Sequence, residues 1–149
     1  MKKTLLLFCL TALFFNTSSA QVIGTLFTET EADNLFGKAK VSVEIQSLSL
    51  KNLVGQSELV GDKTWFWNDN QATTFIVTGK NKSILFTTGD TNFENKVSHA
   101  FSNSMILTLL GNHPGKAVYL QLRDNGVFSL QIEGEVLERA SSCPPLCID

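Results

Sequence analysis

The sequence predicts an α+β domain with an antiparallel sheet of about five to seven strands and two or three short helices. Three observations predict this class. Several short segments alternate apolar and polar residues, two pairs of these segments flank turn-forming residues, and only two or three stretches carry helical caps or helical spacing. Because strand-like segments outnumber helical ones, an all-β sandwich is the alternative.

Residues 1–20 have the pattern of a secretory signal peptide, which leaves 21–149 as a single globular domain. Lys2 and Lys3 precede an apolar run over 5–15, and small residues stand before Gln21, as in bacterial leaders. The run is shorter than the roughly 20 residues that a membrane-spanning helix needs. We therefore expect an extracytoplasmic protein, periplasmic or secreted, with no membrane insertion after cleavage.

The first element of the mature chain is a short helix over 29–36. Thr28 is placed to cap it and Glu31 completes a capping box, while Gly37 is placed to end it. Helical spacing puts three apolar residues of this segment on one face: Ala32, Leu35 and Phe36.

The next segments predict two strands separated by a short helix. Apolar residues alternate with polar ones over 41–45, which indicates a half-buried strand. The spacing over 48–54 is ambiguous and favours a short helix that ends at Gly55. A strand follows over 64–67, and residues 68–70 read as a loop.

Two hairpins are predicted from paired strand-like segments. Residues 73–78 and 83–88 flank one turn, and 117–123 and 127–133 flank a second turn that contains Asn-Gly. In the second hairpin, one face of the first strand is apolar and the other is mixed, as in an antiparallel sheet covered on one side.

A strand and a second helix are predicted between the hairpins. Residues 97–101 read as a strand, and Ser102 is placed to cap a helix that Gly111 closes. The apolar stretch 105–110 is the main content of this helix. A buried strand is the alternative for it.

Composition excludes one large class of function. The 149 residues hold 12 Lys and Arg against 14 Asp and Glu, a formal net charge of −2, so no basic excess exists to neutralise nucleic-acid phosphates. The sequence also lacks the nucleophile elbow of hydrolases, the phosphate-binding glycine loop and the His-Glu-x-x-His zinc motif. Neither a cofactor nor a metal is predicted.

Two cysteines of the mature chain, Cys143 and Cys147, stand close together near the carboxyl end. Outside the cytoplasm such a pair is expected to form a disulfide, and Pro144-Pro145 can supply the turn that brings the two residues together. The alternatives are intermolecular pairing or redox exchange, and a zinc site with the histidines. The small ring could also present its loop to a partner.

The stretch Thr64-Trp65-Phe66-Trp67-Asn68-Asp69-Asn70 is the most distinctive of the mature chain. If Phe66 faces the core, Trp65 and Trp67 point outward on the other side of the strand, beside polar groups such as Asn68. This arrangement would suit a glycan or peptide ligand, and we predict these three residues as a ligand-binding site. The alternative is that both indoles fill the core.

The sequence therefore favours a secreted or periplasmic binding module without catalysis, whose ligand is a glycan, a peptide or a protein. A small extracytoplasmic hydrolase that uses His99 or scattered carboxylates is one alternative. An inhibitor or immunity-type protein whose acidic balance suits a basic target is the other.

Overall fold

The computed structural model describes residues 22–58, 61–69, 71, 74–79 and 82–143. Residues 1–21, which contain the predicted signal peptide, lie outside this range, and so do residues 144–149. The described residues form three helices and ten strands.

The helices are α1 (Glu29–Phe36), α2 (Ser47–Glu58) and α3 (Asn103–Asn112). The strands are β1 (Thr25–Thr28), β2 (Ala39–Gln46), β3 (Lys63–Asp69), β4 (Phe75–Thr78), β5 (Ile84–Thr87), β6 (Lys96–Ser102), β7 (Ala117–Arg123), β8 (Phe128–Ile132), β9 (Glu135–Glu138) and β10 (Ser141–Cys143). They form two antiparallel five-stranded sheets, sheet A in the order β1-β9-β8-β7-β2 and sheet B in the order β10-β6-β3-β4-β5.

The two sheets pack face to face, and the core lies between them. Phe66 of sheet B stacks on Phe128 of sheet A with 5.2 Å between the ring centroids. Helices α2 and α3 pack against each other and contact strands of both sheets. They contribute buried residues such as Leu50 and Ile106 to the core. The predicted α+β class is confirmed, and its strands divide into two sheets that form a sandwich flanked by helices.

Helix α1 has the predicted bounds and caps. The Thr28 hydroxyl accepts from the backbone N–H of Glu31, whose carboxylate accepts from the backbone N–H of Thr28 in return. Gly37 follows the helix with φ of 79°, a conformation that glycine adopts at little cost. The predicted apolar face is only partly confirmed, because Ala32 is buried whereas Leu35 is exposed.

Strand β3 and helices α2 and α3 extend beyond their predicted ends. Strand β3 continues through Asn68 and Asp69, which were predicted as a loop, because both residues pair with β6. Helix α2 passes Gly55 and ends at Glu58, and α3 passes Gly111 and ends at Asn112. Each glycine is tolerated inside its helix because an isolated glycine costs only about 1 kcal/mol there.

Ser102 stands at the amino terminus of α3 without capping it through its side chain. Its hydroxyl instead accepts from the backbone N–H of Ile23, at 2.7 Å, and its own N–H donates to the Ile23 carbonyl. The residue therefore ties the segment before β1 to the end of β6. A predicted cap serves as a tertiary contact.

Both predicted hairpins are confirmed as the pairs β4–β5 and β7–β8. A third hairpin, β8–β9, was not predicted. It turns at Glu133 and Gly134, whose φ angles of 44° and 85° are those of a tight two-residue turn. The turn places Glu133 and Gly134 at one end of sheet A.

Candidate functional site

The two predicted indoles lie on the face of sheet B that points away from the core, as expected once Phe66 faces the core. Their exposure differs from the prediction. Trp67 is only 3% exposed, and its indole N–H donates to the Thr78 hydroxyl at 2.9 Å. The Phe93 ring packs edge-on against it with 4.8 Å between centroids.

The Lys82 ammonium further encloses Trp67. Its Nζ lies 5.4 Å from the centroid of the Trp67 ring and 5.5 Å from that of Phe93. The expectation of two exposed indoles is therefore wrong for Trp67, because residues of the same chain cover this part of the face. Trp65 is half-buried, and its ligand-binding role stays a prediction.

Asn68 does not share a surface with the indoles. It points to the opposite face of β3, is only 3% exposed, and donates from Nδ2 to the carbonyl of Asp69 at 3.0 Å. Its Oδ1 has no hydrogen-bond partner among the residues that the structure describes. The predicted grouping of Asn68 with Trp65 and Trp67 is therefore not present.

The predicted disulfide lies mostly outside the described residues. Cys143 ends β10, where its backbone pairs with Ser98, and Cys147 belongs to the segment that is not described. The bridge between them stays a prediction.

The two histidines occupy separate environments. His99 faces the core of sheet B, and its ring stacks on Phe128 at 5.2 Å. Burial lowers the pKa of His99 to about 4, so the ring is neutral at physiological pH. His113 follows α3, and its Nε2 lies 3.0 Å from a carboxylate oxygen of Glu135. Among the residues with described positions, no three His, Cys, Asp or Glu side chains are grouped so that they could hold a metal ion.

The polar face of sheet A carries a different candidate site. One row of neighbouring residues crosses four strands and points away from the core: Glu44, Tyr119, Gln131 and Val136. Helix α1 contacts β1 and β9, so it covers that side of the face. The part formed by β2, β7 and β8 lies open beside the helix.

A cleft of about 500 Å³ lies over this open part of sheet A. It is lined by Glu29, Ser42, Lys116, Ala117, Tyr119, Gln121, Gln131, Glu133 and Gly134. Its volume is in the range of small-molecule sites in proteins. Tyr119 is 37% exposed, so its ring is an accessible aromatic surface in this cleft.

Hydrogen bonds hold the polar floor of the cleft in place. The Gln121 amide donates to the Gln131 amide oxygen, and the Ser129 hydroxyl lies 3.4 Å from the Gln121 amide oxygen. Ser129 in turn lies 3.3 Å from Nε of the buried Arg123. The two glutamines are therefore oriented before any ligand binds, which lowers the entropic cost of binding.

The walls of the cleft come from α1 and the β8–β9 turn. The backbone N–H of Glu29 donates to the carbonyl of Gly134 at 2.7 Å, which joins the start of the helix to the turn. Lys116 closes one end through an ion pair with Glu133, with 2.7 Å between Nζ and the carboxylate oxygen.

A second cleft of about 350 Å³ lies on the other side of the contact between the start of α1 and the β8–β9 turn. Phe27, Thr28, His113 and Glu135 are among its lining residues, and it shares Glu133 and Gly134 with the first cleft. Both ring nitrogens of His113 face carboxylates, Glu135 at 3.0 Å and Glu133 at 3.9 Å. The histidine thus links the end of α3 to the β8–β9 turn.

The alternation along 117–123 places Tyr119 and Gln121 on the mixed face of the predicted strand, but it does not identify this site. The signal was the mixed face of β7. The rest of the cleft comes from Glu29, Gln131 and Glu133, which belong to a helix and a hairpin distant from β7 in the sequence.

No helix in the described ranges is long and apolar enough to cross a membrane. Comparison with known proteins finds no matching family model, no matching curated sequence and no matching solved structure.

Proposed function

We propose that this protein is an extracytoplasmic, non-catalytic binding module that recognises a carbohydrate in the cleft on sheet A. The observation that carries the proposal is the exposed Tyr119 ring beside the amide of Gln131, which the buried Gln121 holds in place. A sugar ring has apolar C–H faces that pack on an aromatic ring, and hydroxyl groups at its edge that pair with amides.

A saccharide suits this cleft better than an extended peptide. Peptides commonly bind a sheet by adding a strand to a free edge. The strands that carry most of the cleft floor, β7 and β8, are each paired on both sides, so their backbone groups are already used. The free edge of β2, which contributes Ser42 to the cleft, points away from them. Recognition in this cleft therefore depends on side chains, which favours a ligand with many hydroxyl groups.

The extracytoplasmic part of the proposal depends on the signal-peptide pattern of residues 1–20. A hydrolase has less support than a binding module. The ring of His99 is enclosed against Phe128, and both ring nitrogens of His113 face carboxylates, so neither imidazole is placed as a free general base.

The test is a screen of the mature protein on a glycan array, followed by calorimetric titration of each hit. We expect Tyr119→Ala to abolish binding and Gln131→Ala to weaken it, while both variants stay folded by circular dichroism. Trp65→Ala is the matched control, because it removes a half-buried aromatic ring on the other sheet. Loss of binding with Trp65→Ala and not with Tyr119→Ala would assign the site to sheet B instead.

A further inference from the structure

The carboxylates around Tyr119 form the basis of a more specific inference about the ligand. Glu29 lines the cleft, and Glu44 is the direct cross-strand neighbour of Tyr119 on β2. Directly paired residues on one face of an antiparallel sheet have Cβ atoms about 5 Å apart. Glu44 is therefore the neighbour of the exposed ring on β2, and Glu29 carries a second negative charge in the same cleft.

Both carboxylates are available to a ligand. Within the described ranges, neither the Glu29 nor the Glu44 side chain has a hydrogen-bond or ion-pair partner, and both residues are exposed. Glu133 is different, because Lys116 neutralises it at 2.7 Å. Among the described residues that line the cleft, Lys116 is also the only cation. The cleft consequently carries an excess of negative charge beside an aromatic face.

An aromatic face and unpaired carboxylates together recognise a cation. The ring attracts an ammonium group through its quadrupole, and a carboxylate attracts it by charge. The same charges repel sulfated sugars and uronic acids. The paired strands of the floor still disfavour an extended peptide, so the cation is expected on a saccharide.

We infer that the cleft selects an amine-bearing saccharide, such as a glucosamine oligomer, over its N-acetylated and neutral counterparts. The inference rests on the proposed carbohydrate-binding function and names the ligand class for that site. Glu29 and Glu44 would determine the specificity, while Tyr119 and Gln131 would bind the sugar ring.

Three β-1,4-linked tetrasaccharides that differ at carbon 2 test this inference directly. They are the glucosamine, N-acetylglucosamine and glucose tetramers, which carry an ammonium, an acetamide and a hydroxyl group at that position. In calorimetric titrations at pH 6 and low salt, we expect the glucosamine tetramer to bind about tenfold more tightly than the other two, the scale of one well-placed cation–aromatic contact with an ion pair. The advantage should shrink in 0.5 M salt because ions screen exposed charges.

Two charge-removing variants connect the preference to its residues. Glu29→Gln and Glu44→Gln should each reduce the preference for the glucosamine tetramer and leave binding of the neutral tetramers nearly unchanged. Asp62→Asn is the matched control, because it removes an exposed carboxylate at the start of sheet B. It should leave the preference intact.

The outcomes separate this inference from the proposed function. Equal binding of all three tetramers, dependent on Tyr119, would overturn the amine preference and support the carbohydrate-binding function. A preference that survives in both Glu variants would also overturn the inference. Failure of every tetramer to bind would overturn the inference, and it would overturn the proposed function as well if the glycan array also gave no hit that depends on Tyr119. Tight binding of a trilysine peptide in place of every saccharide would overturn both.

Discussion

Arg123 and Glu138 form an ion pair inside the protein, with 2.6 Å between Arg123 Nε and a Glu138 carboxylate oxygen. The Arg123 side chain is 1% exposed and that of Glu138 is fully buried. Arg123 also donates from Nη1 to Asp33 and to the carbonyl of Gly37, each at 2.7 Å. The pair thereby attaches α1 to sheet A, next to the cleft.

Replacing Arg123 by Met should destabilise the protein by about 3–5 kcal/mol at pH 8, because a buried carboxylate loses its partner. Urea unfolding measures the change. Arg139→Met is the matched control, since Arg139 is exposed and only lies 5.4 Å over the Phe27 ring, so its loss should cost less than about 1 kcal/mol. Equal effects of the two substitutions would contradict the importance of the buried pair.

The cost of Arg123→Met should also depend on pH. Burial raises the pKa of Glu138 to about 7, and the Arg123 charge offsets part of this effect. The folded protein therefore binds a proton between pH 7 and about pH 4.5, where the unfolded chain does not, so this group adds stability as the pH falls. At pH 5 the Glu138 carboxyl is protonated with or without Arg123, so the substitution leaves no unpaired buried carboxylate and the destabilisation should be smaller than at pH 8.

The buried His99 should have the opposite effect from Glu138 and lower the stability of the protein as the pH falls. Its pKa is about 4 in the folded protein and 6.5 in a solvated histidine, so the unfolded chain binds the proton first as the pH falls. Stability is present above pH 6.5 and is lost as the pH falls toward 4, by about 2–3 kcal/mol at pH 4.5.

The variant His99→Phe isolates this contribution, because a phenyl ring can keep the stacking on Phe128. The difference in unfolding free energy between the variant and the wild type should be constant near pH 7. At pH 4.5 this difference should be about 2–3 kcal/mol more favourable to the variant than it is near pH 7. Comparing the two proteins cancels the Glu138 effect, which is common to both. An identical pH dependence of both proteins would show that His99 titrates as an exposed histidine.

Local signals predicted most of the fold. The capping box of Thr28 and Glu31 needs only four residues, and the Asn-Gly turn of the second hairpin needs two, so both were visible in the sequence. The β8–β9 turn was missed because Glu133 adopts a positive φ that its residue type does not announce. The strand count was therefore low by β9, and also by β1 and β10, which are short strands of four and three residues.

The candidate sites were harder to predict because exposure is a property of tertiary packing. Alternation along β3 correctly placed Trp65 and Trp67 on one face. The cover over Trp67 comes from Lys82 and Phe93, which lie beyond the next strand in the sequence. The same limit applied to the cleft, whose wall at Glu29 is brought beside Tyr119 only by the pairing of β1 with β9.

The different burial of the two indoles can be measured by fluorescence quenching. Trp65→Phe leaves Trp67 as the single indole, and its emission should be weakly quenched by acrylamide. Trp67→Phe leaves Trp65, which should be quenched more strongly. Because Trp67→Phe removes the donor to the Thr78 hydroxyl, it should also cost about 1–3 kcal/mol in unfolding free energy. Equal quenching of the two variants would argue that Trp67 is not enclosed.

Two glycines should respond oppositely to the same substitution. Gly24 has φ of 121°, and a Cβ there would lie 2.9 Å from Leu137 Cδ1 and 3.2 Å from Phe101 Cδ1. Gly24→Ala combines backbone strain with this crowding and should destabilise by about 1–3 kcal/mol. Gly55 lies inside α2, and a Cβ added there would meet no described atom within 4 Å, so Gly55→Ala should stabilise by about 0.5–1 kcal/mol.

Thermal unfolding of both alanine variants measures these effects on one scale. The opposite signs follow because the unfolded chain loses the same conformational freedom in each case, while only Gly24 occupies a backbone region that alanine avoids. A stabilising Gly24→Ala would mean that the segment before β1 can shift away from Phe101 and Leu137. Such a shift would also weaken the hydrogen bonds between Ile23 and Ser102, which hold this segment against β6.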